Sequence, residues 1–248
     1  MTPAPVLQTR GLVAGYERDL PIVHGIDFAL GAVELVAILG PNGAGKSTFV
    51  KAIAGLVPIH AGTVSLGDVD ATEVPPHEKV RHGLAFVPQT ENVFATLSIA
   101  DNMRLAADIL PAGERDPRIH RIYGLFPDLA DRSSRRAGAL SGGQRQMLAI
   151  ARALIVEPSV LILDEPSAGL SPKIVGEVFE RLRGIKRSGV SIILVEQNVK
   201  AALAVADRAV ILVEGKLRHE GTAAGLADDP LVAELYLGAR RVHQATPA

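Results

Sequence analysis

Short apolar runs, each about four to eight residues long, alternate with Gly, Pro and charged turns along the whole chain. Leu35–Leu39, Leu84–Val87, Val160–Leu163 and Ser191–Val195 are apolar at nearly every position, the pattern of strands covered on both faces in a parallel sheet. Val6–Val13, Ile22–Leu30, Gly62–Asp68 and Ala209–Val213 read as further strands. Between these runs the spacing predicts helices over Thr48–Ala54, Ser98–Leu110, Arg118–Phe126, Arg145–Leu154, Ile174–Arg187 and Val199–Ala206. Gly55 closes the first helix, Pro75-Pro76 breaks the chain, and Pro111, Pro117 and Pro127 punctuate the middle. Strands alternating with helices argue for an α/β fold around a mainly parallel sheet. The stretch from about 90 to 139 is mainly helical and reads as an inserted subdomain within a single domain, 1–248, whose core covers about 6–88 and 140–238.

One junction between an apolar strand and a helix carries the strongest chemistry. Gly40-Pro41-Asn42-Gly43-Ala44-Gly45-Lys46-Ser47-Thr48 fits G-x-x-x-x-G-K-[ST] in full. Glycines let successive backbone N–H groups from Asn42 to Thr48 turn around an anion, and the helix N-terminus adds its positive end. Lys46 is placed to neutralise nucleotide phosphates, and the Ser47 hydroxyl to hold Mg²⁺. Asp164-Glu165 ends another buried strand, where carboxylates face the ligand crevice of such sheets. Asp164 is placed to hold Mg²⁺ and Glu165 to polarise an attacking water. Leu140-Ser141-Gly142-Gly143-Gln144 makes a second anion site by the same logic, with Ser141 as N-cap and Gly142 and Gly143 exposing N–H groups. Read alone, it is also an ordinary capped helix.

Composition narrows the classes. The formal net charge of −1 gives no electrostatic reason to expect nucleic acid. No apolar run approaches the 18 or so residues that cross a bilayer, and the start, Met1–Pro5, lacks a signal-peptide pattern. Zero cysteines exclude disulfides and thiolate metal sites. His77 and His82 flank Glu78, but five-residue spacing does not put two histidines on one helical face. Arg132, Arg135 and Arg136 form a basic cluster that reads equally as a solvated face.

The order of the phosphate loop, Gln89 after a strand, Leu140–Gln144 and Asp164-Glu165 resembles the ATP-binding subunits of ABC transporters, along about Val6 to Gly238. The resemblance implies a P-loop NTPase with an N-terminal antiparallel β subdomain and an inserted helical subdomain. It also implies an ATPase that binds ATP and Mg²⁺ at the interface of a head-to-tail dimer, each nucleotide between one chain's loop and the other's Ser141–Gln144. Tyr16 matches the aromatic that stacks on adenine in this family; read alone, it is a core or turn tyrosine. Gln89 matches the residue that touches Mg²⁺ and the attacking water, and the helical insertion matches the groove that receives the permease.

Two positions depart from the family pattern. Gln197 stands where a histidine usually contacts the γ-phosphate, and it can donate a hydrogen bond but carries no charge. Ser171 stands where most members have Asp. With the ending Asp229–Gly238, both departures resemble the smaller ATPase subunit of branched-chain amino acid importers. That implies a peripheral protein on the cytoplasmic face of the inner or plasma membrane, paired with a second ATPase subunit (a homodimer being the alternative). Above it would lie membrane permease subunits fed by a periplasmic or extracellular binding protein. Close relatives carrying urea or short amides leave the substrate open. A soluble ABC ATPase acting on DNA or ribosomes would want a tandem domain or a long coiled coil. A GTPase would want an Asn-Lys-x-Asp reader, and a P-loop kinase has no use for Leu140–Gln144.

Overall fold

The computed structural model describes residues 4–90 and 92–229. Among the described residues, two sheets are built from ten strands and connected by helices. β1 (Leu7–Ala14) and β2 (Val23–Leu30) form an antiparallel pair, and β3 (Leu35–Leu39) leads into α1 (Lys46–Ile53). β4 (Ile59–Leu66), β5 (Val69–Asp70), α2 (Pro76–Lys79) and β6 (Leu84–Val87) follow. Then come α3 (Ile99–Ala107), α4 (Ala112–Leu125), α5 (Pro127–Ala130) and α6 (Gly142–Leu154). The described residues finish with β7 (Val160–Asp164), α7 (Pro172–Arg187), β8 (Ser191–Val195), α8 (Val199–Leu203), β9 (Arg208–Val213), β10 (Lys216–Thr222) and α9 (Ala223–Ala227).

The smaller sheet runs β2-β1-β4-β5 and is antiparallel; the larger runs β10-β9-β3-β8-β7-β6. All its pairings are parallel except β10 on β9. Every residue of β3, β7 and β8 is buried, so alternate side chains serve two cores. Leu35, Ala37 and Leu39 face α3–α7, together with Met103, Ile122, Leu148 and Phe179. Val36 and Ile38 face α1 and the antiparallel sheet, with Phe49, Leu12 and Ile26. Phe28 meets Phe49 edge-on at 5.8 Å between centroids. α1 is thereby clamped between the sheets, which fixes the loop that precedes it.

Three local expectations needed correction. β10 has no apolar alternation to announce it: Lys216-Leu217-Arg218-His219-Glu220-Gly221-Thr222 lies on the sheet edge, where polar side chains face water. Pro117 lies inside α4 and does not delimit it. The helix begins at Ala112, so the ring removes one main-chain hydrogen bond near its start and the rest of the ladder carries on. The strand expected to start at Gly62 begins at Ile59, where it already pairs with Ala14. Residues 230–238, expected to belong to the core and to carry part of the family resemblance, lie outside the described residues.

Candidate phosphate-binding site

The loop from Gly40 to Gly45 leaves the end of β3 and enters α1 at Lys46. Gly45 is the N-cap residue in the left-handed region (φ 93°), a conformation that costs any side chain with a Cβ. Ala44 N–H donates to the Pro41 carbonyl (3.2 Å), closing the turn, and Asn42 and Gly43 stay at the rim. Lys46, Ser47 and Thr48 form the first turn of the helix.

Lys46 is only 5% exposed, and its Nζ donates to the carbonyls of Gly40 (2.8 Å) and Pro41 (3.1 Å). Burial lowers its pKa, against the pull of nearby Glu165, Asp164 and Glu196. The cation also stands at the positive end of a helix dipole, where a positive charge is unwelcome. A buried cation in that place, bonded only to neutral carbonyls, fits a polyanion. Ser47 Oγ donates to Asp164 Oδ1 (2.9 Å), pairing a hydroxyl and a carboxylate of the type that hold Mg²⁺. Burial raises the Asp164 pKa, opposed by the Ser47 hydrogen bond and by Lys51 and Lys46.

Glu165 follows β7 with φ 49°, a left-handed backbone that non-glycine residues avoid. Its N–H donates to the Val195 carbonyl (3.0 Å), continuing the ladder to β8. Its carboxylate accepts from Gln89 Nε2 (2.8 Å) and from Gln197 Nε2 (2.9 Å to each oxygen). Gln89, Asn42–Thr48, Glu165, Gln197 and Ile22 line one cleft of about 360 Å³. The fold therefore joins three of the four separate motifs around a single pocket. Its chemistry is a cationic cradle at one end and a carboxylate held by two neutral amides at the other.

The fourth motif lies elsewhere. Ser141 caps α6: Gln144 N–H donates to Ser141 Oγ (3.3 Å), and Gln144 Oε1 accepts from Ser141 N–H (3.1 Å). Ser141, Gly143 and Gln144 line a different groove, against Met147 and Ile174. None of the residues from Ser141 to Gln144 reaches the cleft of Lys46. Tyr16 is no core residue: it is 59% exposed at a bend and does not line the cleft, although Ile22, from the same turn, does.

The sequence reading passed over Glu196. It is 2% exposed, and both its oxygens accept from Ser167: the N–H at 3.0 Å and the hydroxyl at 2.7 Å. Burial raises its pKa above the ordinary value, against those bonds and with Glu165 adding to the rise. Its signal was present in Val195-Glu196-Gln197: a carboxylate directly after a nearly all-apolar strand, in the place that Glu165 holds beside β7.

Residues 23–168 match the ABC transporter family. A probable branched-chain amino acid transport ATP-binding protein, LivF, from Archaeoglobus fulgidus is 42% identical over 94% of this chain and 99% of its own. The high-affinity branched-chain amino acid transport ATP-binding protein BraG of Pseudomonas aeruginosa is 35% identical, over 91% and 97%. The lipopolysaccharide export system ATP-binding protein LptB of Escherichia coli is 34% identical, over 94% and 97%. Among solved structures, the ADP conformation of an ATP-binding cassette of an ABC transporter superposes with a TM-score of 0.85 at 24% identity, over 95% of this chain and 100% of that one. The cbiO1 protein of Clostridium perfringens, part of the cbiONQ transporter complex, gives 0.82 at 26%, over 97% and 98%. Relatives this similar along almost their whole length lead to one conclusion: the chain belongs to the ABC transporter family, as an ATP-hydrolysing cassette.

Proposed function

We propose that this cassette powers the uptake of branched-chain or related amino acids through a membrane permease. The observation that carries the reading is the similarity to LivF, which spans nearly all of both chains. Similarity to BraG supports it. Export of a lipopolysaccharide is the second reading, favoured by LptB at comparable identity and coverage.

Within the cleft, Lys46 and the N–H groups from Asn42 to Thr48 would bind the nucleotide's phosphates, and Tyr16 would stack on its base from the rim. Ser47, Asp164 and Gln89 would hold Mg²⁺, which supplies charge neutralisation at the transferred phosphoryl group. Glu165 would accept the proton of the attacking water, with Gln89 and Gln197 keeping its carboxylate turned inward. Gln197 does this without the positive charge of the usual histidine. Ser141, Gly142, Gly143 and Gln144 would face the nucleotide of a second ATPase subunit, since they do not reach this chain's own cleft. We further propose one ATP-binding domain, with the segment from about 90 to 139 as the permease-facing subdomain and the whole chain peripheral on the cytoplasmic face. No helix among the described residues is long and apolar enough to cross a membrane.

The test is ATP hydrolysis by the purified chain alone and again with a partner ATPase subunit and permease from the same source, reconstituted in vesicles. Low activity alone that rises sharply in the complex, and further on adding leucine-loaded binding protein, is the expected result. Stimulation by lipopolysaccharide and not by the loaded binding protein would move the assignment to the second reading. Full activity alone, indifferent to both partners, would overturn the transport assignment.

A further inference from the structure

Two glutamates end adjacent parallel strands. Asp164 pairs with Val195 across β7 and β8, so Glu165 and Glu196 are the next residues on each side. Glu165 turns into the cleft. Glu196 is buried, its own N–H bonded to the Ile38 carbonyl at the end of β3 (3.2 Å). From that anchor its carboxylate crosses to the loop after β7 and takes both donors of Ser167. The same loop is folded in two consecutive turns, Ala168 N–H to the Glu165 carbonyl (3.1 Å) and Leu170 N–H to the Ser167 carbonyl (3.1 Å). Glu165 itself sits in a left-handed conformation, which persists only where the surroundings hold it. Glu196 supplies that hold two residues downstream, and it directly precedes Gln197, whose amide grips the Glu165 carboxylate.

We propose that Glu196 is a positioning residue for ATP hydrolysis: by fastening the loop after Glu165 to the end of β8, it sets the orientation of Glu165 and Gln197 together. It does not line the cleft of Lys46. The inference rests on the reading of Glu165 as the base. A displacement of about 1 Å at a reacting group costs on the order of a hundredfold in rate, so partial loosening should cost roughly tenfold or more. Glu196 makes no hydrogen bond to the loop before α1 and acts on Lys46 only through its charge, the smallest of the three nearby carboxylates' effects.

The experiment measures kcat, ATP affinity and melting temperature on the full chain in its transporter complex. Glu196→Ala should lower kcat roughly tenfold or more while leaving ATP affinity within about twofold. Glu196→Gln keeps one acceptor for the Ser167 N–H and one group for its hydroxyl, and should recover kcat to within about threefold of the parent. Ser167→Ala should cost part of the same loss and add nothing to Glu196→Ala, because both remove one connection. Parent-like kcat in Glu196→Ala overturns the proposal, and so does a parallel fall in affinity and melting temperature, which marks a merely structural role. If Glu196→Ala does not fold, Ser167→Ala decides: lowered kcat at unchanged affinity supports the proposal, and unchanged kcat overturns it. Glu165→Gln, run beside these, separates the two ideas. If it hydrolyses ATP at the parent rate, the reading of the base fails and the positioning role falls with it. If it is inactive while Glu196→Ala is parent-like, only the positioning role fails.

Discussion

Two glycine-rich loops lead into helices in this molecule, and Gly43 in one and Gly143 in the other are glycine for different reasons. In the loop before α1, Gly43 and Gly45 have φ of 79° and 93°, and a Cβ on Gly43 would meet nothing within 4 Å. Backbone conformation is the constraint at Gly43, whereas at Gly40, the head of the same loop, a Cβ would lie 2.2 Å from the Leu212 carbonyl oxygen. In the loop before α6, Gly143 is helical, and a Cβ would lie 2.4 Å from Ile174 Cγ2. Close approach of α7 is the constraint in that case. The electrostatics differ as well: the first loop gathers Lys46, Asp164 and Glu165, whereas Ser141 and Gln144 satisfy one another with neutral groups. A loop with a buried cation and acids holds the means for chemistry within one chain. A self-capped loop packed on its neighbour offers shape and N–H groups to something outside it.

The sharpest way to break this contrast is to strip the chemistry from the first region. Glu165→Gln should lower kcat on the order of 10²–10⁴-fold and keep ATP binding, because a single amide oxygen can still accept from both Gln89 and Gln197. Retained hydrolysis in single-turnover assays would show that the base lies elsewhere. Lys46→Ala comes next. Loss of one partner from a buried charge pair costs about 3–5 kcal/mol, so the Kd for ATP should rise on the order of 10²- to 10⁴-fold, read by calorimetry. Binding within threefold of the parent would contradict the assignment of Lys46 as the phosphates' partner.

The glycine contrast itself is tested by methyl groups. Gly143→Ala should destabilise by about 1–3 kcal/mol through overpacking, and Ile174→Ala in the same chain should relieve much of that cost by removing Cγ2. Gly43→Ala should cost about 1–2 kcal/mol from its left-handed backbone alone, with no trimming of a neighbour able to rescue it. Urea unfolding of the single and double variants measures both. If Ile174→Ala and Gly143→Ala simply add, close approach is not why glycine stands there.

Much of this was readable before any coordinates, for identifiable reasons. The loop 40–48 and the carboxylates at 164 and 165 follow buried strands whose apolar runs are unmistakable, so motif and context agree in one dimension. Ser141 as N-cap was equally legible, since capping depends on residues three apart. What stayed hidden depends on distance across the sheet. Nothing local says that Ser167 answers Glu196, 29 residues on, or that Gln197 grips Glu165 across 32. Edge strand β10 was missed because a strand facing water carries no apolar alternation. Tyr16, read as an adenine platform or else as a core or turn tyrosine, is exposed at the bend between β1 and β2.

The smallest effect concerns the far end of α1 and carries the contrast to charge placement. Lys46 stands buried at the positive end of that helix, whereas Lys79 stands buried at the negative end, its Nζ donating to the Ile53 carbonyl (2.8 Å). The dipole welcomes Lys79, yet burial alone pushes its pKa from 10.5 down to about 8. Below that value the folded chain carries a charged, desolvated lysine and its cost. Between about 8 and 10.5 the unfolded chain still holds a proton that the folded chain has released, so stability must rise with pH across this window. From pH 8 to pH 9 the gain is about 1 kcal/mol. Lys79→Met keeps the length of the side chain and removes the titration, so the stability difference between parent and variant should grow in the parent's favour over that interval. Urea midpoints at the two pH values measure it. A difference that stays flat, or shrinks as the pH rises, would mean that Lys79 finds enough water or negative charge to keep its ordinary proton affinity, and that the two ends of α1 are not the opposed environments described here.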